Sequence, residues 1–258
     1  MISILTSILG QVPRFIYRAA LLAGFMLLVL FPTLILINYY KGLGTEKGSL
    51  KAETVAVRLA SRFVWVFGIS VRVRGTPAET PVLIAANHLS WLDILVLHSV
   101  RAMGFVAKSE IDQWPVFSYI ARTGNTIFHQ RGCHDSASDV AAVMTQRLKQ
   151  GQRVAIFPEG GILPGNSVRR FHARMFRAAV DAQCMVQPVM VRYLLAGRRD
   201  DDISFREGES MLVNICRLLA RPGAQADVHF LPVIDADGAP RRVLADSARL
   251  AVVNSYDG

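Results

Sequence analysis

His88 and Asp93 stand five positions apart, directly after the apolar run Pro81-Val82-Leu83-Ile84-Ala85-Ala86-Asn87. An imidazole accepts a proton near neutral pH, and a carboxylate beside it fixes the ring tautomer and steadies the imidazolium. Such a pair is a general base for activating a hydroxyl. Five positions around a regular helix amount to about 500°, which leaves the two side chains roughly 140° apart. They meet only if His88 lies on the turn before a helix and Asp93 lies in its first turns. A capping histidine followed by a solvated aspartate gives the same spacing, so other residues must decide.

The elements that would position them alternate. Apolar runs at 82–86, 105–107, 126–128, 154–157, 185–191 and 227–231 read as strands. Segments 91–101, 114–121, 136–149, 171–182, 210–220 and 240–253 read as helices. The clearest helix is 136–149, where Val140, Val143, Met144 and Leu148 share a face and Gly151 stops the run. Strand–helix alternation predicts an α/β fold with a mostly parallel central sheet flanked by helices. In such sheets ligands gather outside the carboxyl ends of the strands. His88, Lys108, Arg131 and the pair Pro158-Glu159 each follow a predicted strand. Four strand ends carrying His, Lys, Arg and Glu converge on one candidate site.

The 258 residues carry a net charge of +9 and a mean hydropathy of +0.31, high for a soluble enzyme. The excess is local, because 19–40 holds no charged residue. About 20 apolar residues suffice to cross a hydrocarbon core as a helix. Pro32 would kink a regular helix there, so the segment reads as a kinked span or as a two-helix anchor embedded in one leaflet. It is too long for a cleaved signal peptide, and no small-residue cleavage site follows it closely. Segment 53–68 mixes Arg58 and Arg62 with apolar residues, as an interfacial helix or one packed on the domain would. The expected division is therefore a membrane anchor over 1–70 and an α/β domain over 71–258. Lys41, Lys47, Lys51 and Arg58 outnumber Arg14 and Arg18 across the apolar segment, which favours a cytoplasmic main domain at a bacterial inner membrane. With an apolar anchor present, the basic charge suits anionic membrane lipid rather than nucleic acid. Cys133, Cys184 and Cys216 are widely spaced and form neither a disulfide framework nor a zinc motif. His98, His129, His134, His172 and His229 lack metal-ligand spacing, so no metal is expected.

Asn87-His88 with Asp93, Ile127-Phe128-His129-Gln130-Arg131, Phe157-Pro158-Glu159-Gly160 and Val186-Gln187-Pro188-Val189 occur in this order. Together with Phe105-Val106-Ala107-Lys108-Ser109-Glu110 and Trp114-Pro115 they resemble the glycerolipid acyltransferase family. Bacterial 1-acyl-sn-glycerol-3-phosphate acyltransferases are the nearest pattern. The resemblance spans roughly residues 55 to 235.

It implies transfer of a fatty acyl group from an acyl carrier protein or coenzyme A thioester to the free hydroxyl of a lysolipid, without a cofactor. His88 would deprotonate that hydroxyl and Asp93 would orient His88. Arg131 would contact the acceptor headgroup, Glu159 and Gly160 would shape its site, and Lys108 would neutralise phosphate or pair within its turn. The expected acceptor is 1-acyl-sn-glycerol-3-phosphate, giving phosphatidic acid. Where the family continues with Thr, then Arg or Thr, then Ser after its Phe-Pro-Glu-Gly, this chain has Gly161-Ile162-Leu163. The stretch Gly165-Asn166-Ser167-Val168 with Phe171 also resembles acyltransferases that complete ornithine lipids, whose acceptor carries no phosphate. Lyso-ornithine lipid is the alternative acceptor, and a non-catalytic membrane adaptor with this fold is the alternative from another class.

Overall fold

The computed structural model describes residues 2–79, 81–108, 113, 115–129, 134–162 and 167–258. The chain opens with helix α1 (Ile2–Gly24), passes through a π-helical turn (Phe25–Leu30) and continues as α2 (Phe31–Gly42). Pro32 does not break this helix. A proline lacks an N–H and its ring crowds the carbonyl four residues back. The wider π turn stands where that carbonyl falls, and the backbone stays right-handed helical on both sides of it. Gly10–Gly42 is long and apolar enough to cross a membrane, by length and composition. Leu27, Leu28, Ile35 and Tyr39 are exposed along it.

The chain reverses after Gly42, outside the apolar stretch, and returns as α3 (Glu46–Val66). The amphipathic helix expected over 53–68 therefore starts at Glu46. Thr45 caps it, its hydroxyl accepting from Gly48 N at 3.1 Å. Helix α3 packs on α2 on one side and on the α/β domain on the other. Arg14 and Arg18 on α1 donate to the carbonyls of Ala220 (3.1 Å) and Arg221 (2.8 Å), at the end of a domain helix.

The sheet contains β1 (Ile69–Arg74), β2 (Val82–Ala86), β3 (Gly104–Lys108), β4 (Ile127–His129), β5 (Arg153–Ile156), β6 (Met185–Leu195), β7 (Arg198–Arg199) and β8 (Ala224–Phe230). Its order is β1-β8-β6-β2-β5-β3-β4, with β7 hairpinned onto β6. Strands β6, β2, β5, β3 and β4 run parallel. Strands β1 and β8 are parallel to each other, and β8 is antiparallel to β6. The fold is thus α/β with a mostly parallel, mixed sheet. Helices α4 (Leu92–Val100), α5 (Pro115–Thr123), α6 (His134–Lys149), α7 (Arg177–Ala182), α8 (Met211–Ala220) and α9 (Arg241–Asp257) complete it.

Strand β2 is buried at every residue, as a central parallel strand covered on both faces must be. Val82, Ile84 and Ala86 point into one core with α3, α4 and α8. Leu83 and Ala85 point into the other, with α6, α7 and α9. Strand β1 escaped sequence reading because its burial pattern is largely exposed. The helix expected over 171–182 begins at Ala173 as a 3-10 turn and becomes α-helical only at Arg177. Its first residues are pulled out of helical geometry, His172 N donating to Pro158 O at 2.8 Å.

Candidate active site

Strand β2 ends at Ala86, and Asn87 anchors the turn beyond it. Its side chain bridges to β6, donating to Val191 O (2.9 Å) and accepting from Val191 N (2.7 Å). Buried amides are costly unless both ends are paired, and this one is. The backbone then turns through His88, Leu89, Ser90 and Trp91 into α4, whose second residue is Asp93. The geometry demanded by the spacing is therefore met: His88 is on the turn and Asp93 is in the first turn of the helix. His88 Nδ1 lies 2.9 Å from Asp93 Oδ2.

The carboxylate is wholly buried and wholly occupied. Oδ2 also accepts from Leu89 N at 2.6 Å and Ser90 N at 2.9 Å. Oδ1 accepts from the phenol of Tyr193, on β6, at 2.7 Å. Burial comes first and Asp93's charge second in pushing the Tyr193 phenol well above its ordinary pKa, so it stays a neutral donor. Because an ionised carboxylate only accepts, Nδ1 carries the ring proton. The lone pair is then on Nε2, the atom available for proton abstraction. Phe157 stacks on the imidazole at 3.8 Å between centroids and fixes its plane.

Glu159, after β5, is buried and locks the same turn from another side. Its Oε1 accepts from His88 N at 2.9 Å. Its Oε2 accepts from Arg169 N at 3.0 Å and lies 3.4 Å from Arg169 Nε. Both oxygens are thus engaged within the protein, so Glu159 braces His88 and Arg169. Arg169 Nη2 also holds Gly161 O at 2.5 Å. Arg249 on α9 pins the same segment through the carbonyls of Val168 and Arg169. Gly160 has φ +83°, and a Cβ there would stand 3.3 Å from the His172 ring. The positive φ favours glycine, and the ring would have to give slightly for any larger residue.

A second layer holds the turn. Ser204 Oγ donates to Leu89 O at 2.6 Å, and Trp91 Nε1 donates to Asn214 Oδ1 at 3.0 Å. Asn214 in turn donates to Glu209, which Arg217 clamps at 2.7 Å. Tyr193, Ser204, Asn214, Glu209 and Arg217 carried no local sequence signal; each lies about a hundred residues or more from the turn it supports.

Of the remaining candidates, Lys108 ends β3, two strands from β2 on the same side of the sheet. Arg131 lies outside the described residues, two positions beyond the end of β4. Gly165 and Asn166 also lie outside them, as does Cys133. Cys184 is buried, and burial pushes its thiol up to about 11, which leaves it unreactive near neutral pH.

The Acyltransferase family profile matches residues 70–192, a range containing this turn, Glu159 and β6 as far as Arg192. A lyso-ornithine lipid O-acyltransferase of Pseudomonas aeruginosa is 34% identical over 182 residues, covering 70% of each chain. The chain belongs to the glycerolipid acyltransferase family. A 1-acyl-sn-glycerol-3-phosphate acyltransferase of Neisseria gonorrhoeae is 32% identical to this acyltransferase over 226 residues, 81% of this chain and 88% of that one. The crystal structure of the 1-acyl-sn-glycerophosphate (LPA) acyltransferase, PlsC, from Thermotoga maritima superposes with a TM-score of 0.72, at 18% identity. It covers 97% of this chain and 96% of that one, so the N-terminal helices share the fold too.

Proposed function

We propose that this acyltransferase moves a fatty acyl group from a thioester to the free hydroxyl of a lysolipid, with His88 as general base. The observation that carries the mechanism is the oriented imidazole, its Nδ1 held by Asp93 and its Nε2 left to the substrate. The acceptor hydroxyl gives its proton to Nε2 while its oxygen attacks the thioester carbonyl. A new C–O ester bond forms, the C–S bond breaks, and His88 passes the proton to the leaving thiolate, which departs as the thiol and restores the neutral base. General-base catalysis is worth roughly 10²–10⁴-fold. Alignment of donor and acceptor over the turn supplies a further entropic share. The donor is an acyl carrier protein or coenzyme A thioester, and no cofactor takes part.

The first acceptor reading is 1-acyl-sn-glycerol-3-phosphate, giving phosphatidic acid, with Arg131 on the headgroup and Gly160 opening space beside it. A specific observation favours lyso-ornithine lipid as the second. Gly161 and Ile162 offer no hydroxyl or cation where a phosphate would be received, and Arg169 is already committed to Glu159 and Gly161. The apolar N-terminal helix would hold the enzyme at the bacterial inner membrane, the basic residues after it keeping the catalytic domain on the cytoplasmic side.

The test is a paired acceptor assay with protein purified in detergent. Labelled acyl-carrier-protein and coenzyme A thioesters are offered with lysophosphatidic acid and, separately, with lyso-ornithine lipid, beside a His88→Ala control. His88-dependent product with one acceptor alone assigns the headgroup. Absence of product with either acceptor would overturn the reading and favour the adaptor alternative.

A further inference from the structure

At the opposite ends of the strands from His88 lies a polar cavity of about 320 Å³. The first residues of β3 and β5, Gly104 and Arg153, line it, as do Lys41 of α2, Glu53 of α3, His98 of α4 and Asn125. It therefore sits where the helical hairpin meets the amino edge of the sheet, away from the turn that carries the chemistry.

The charges around it do not balance among the described residues. Lys41 Nζ donates to Thr123 O (2.5 Å) and Asn125 Oδ1 (2.7 Å), both neutral. Arg147 donates to Asn125 O, again a neutral partner. Its guanidinium stands beside Gly104, where an added Cβ would meet it at 3.1 Å. Arg153, 10% exposed, shares Glu53 at 3.1 Å, but its buried Nε has no acceptor. Lys41 and Arg153 on the lining, with Arg147 beside it against Gly104 and Asn125, thus outnumber the one carboxylate, Glu53. Partly buried cations without a counter-charge are costly, and a bound anion is the ordinary remedy. His98 reports the same positive field, and Arg147 reports the burial around it. Burial, then the charge of Lys41, pushes His98 down to about 4. Burial holds the Arg147 guanidinium below its ordinary value.

We propose that this cavity is an anion site for a phosphate-class oxyanion, received by Lys41, Arg147 and Arg153. Such an oxyanion offers several acceptors at once, matching a lysine point charge and two guanidinium forks. Its source is either free phosphate or the phosphate of an anionic phospholipid. Lys41 lies on the last turn of the apolar helix Gly10–Gly42, where an inserted helix would leave the hydrocarbon and meet lipid headgroups.

The experiment is calorimetric titration of the detergent-purified full chain at fixed ionic strength. Inorganic phosphate is one arm and soluble dihexanoyl-phosphatidylglycerol the other. Proteins compared are the wild type, Lys41→Gln, Arg147→Gln, the charge-keeping Lys41→Arg, and His88→Ala. Saturable binding is expected. It should weaken at least tenfold in Lys41→Gln and Arg147→Gln, recover in Lys41→Arg and persist in His88→Ala. NMR titration of the His98 ring should show its protonation point rising when the site fills. Binding of phosphate alone assigns a free-anion site, and binding of the lipid assigns a headgroup site. No binding of either at millimolar concentration overturns the proposal. So does binding that both glutamine variants leave unchanged while their melting temperatures match wild type. The readout is binding rather than turnover, so it stands or falls apart from the proposed reaction.

Discussion

The Tyr193 phenol donates to Asp93 Oδ1 at 2.7 Å, on the carboxylate oxygen that His88 does not use. Oδ2 takes the imidazole and two backbone N–H groups, so Tyr193 is the one donor on the other oxygen among the described residues. The phenol keeps the wholly buried carboxylate from rotating. Tyr193→Phe removes one hydrogen bond to a charged acceptor, worth about 1.5–3 kcal/mol. The expected outcome is a several-fold lower kcat with unchanged acceptor KM, and a pH–rate profile whose acid limb, where a general base is lost to protonation, shifts. A variant with wild-type kcat and profile would mean that Tyr193 only fills space.

His88→Ala removes the proposed proton acceptor and should lower kcat roughly 10²–10⁴-fold. Asp93→Asn is the sharper variant. Its amide oxygen can take over the Oδ2 contacts while its NH₂ donates to the Tyr193 oxygen, because a hydroxyl both donates and accepts. The turn should therefore survive while the negative charge that steadies the imidazolium is lost. A fall in kcat of roughly 10²-fold or more is expected, with circular dichroism and melting temperature near wild type. A folded Asp93→Asn protein with undiminished turnover would remove Asp93 from the mechanism.

Glu159 ties the backbone of His88 to Arg169 across 71 and 10 residues of chain. Gln at this position sets an NH₂ against either the His88 N–H or the Arg169 N–H, leaving a buried donor unpaired. That costs about 1–3 kcal/mol. We expect Glu159→Gln to lower the melting temperature and kcat together, and Arg169→Gln to lower them less, since Arg169 is 32% exposed. Loss of acceptor affinity without loss of stability would instead put Glu159 in direct contact with substrate.

The sequence carried those parts of the site that depend on local order. Apolar runs locate β2, β5 and β6, and the turn between β2 and α4 is implied by the His88–Asp93 spacing. The braces that fix the turn were invisible because sheet pairing and packing bring them from far along the chain. Tyr193 falls beyond the strand read over 185–191, and only the longer β6, running on past its pairing with β2, brings it to Asp93. Glu159 was legible as a site residue, but its partner Arg169 emerges only when the non-helical segment 167–172 is tied back to Pro158. The N-terminal segment shows the converse. Pro32 announces a break, yet a π turn absorbs it, and the reversal falls instead at the polar residues after Gly42.

The outer brace makes a prediction about acid. Hydrogen bonding to Arg217, ahead of an opposing burial effect, holds the Glu209 carboxyl down to about 2, against an ordinary 4.5. A folded-state pKa below the unfolded one stabilises above the unfolded value, and that contribution fades as pH falls through the folded value. Wild-type stability should therefore drop between about pH 4.5 and 2, with part of the drop owed to Glu209. Glu209→Gln should be less stable at neutral pH and show a shallower decline across that window. Glu209 also positions Asn214, which holds the Trp91 indole in the turn between β2 and α4. The indole emission should thus shift in the variant at pH 7, and kcat should fall with it. Melting curves superimposable on wild type from pH 7 down to pH 2 would show that the Glu209–Arg217 clamp contributes nothing to the turn.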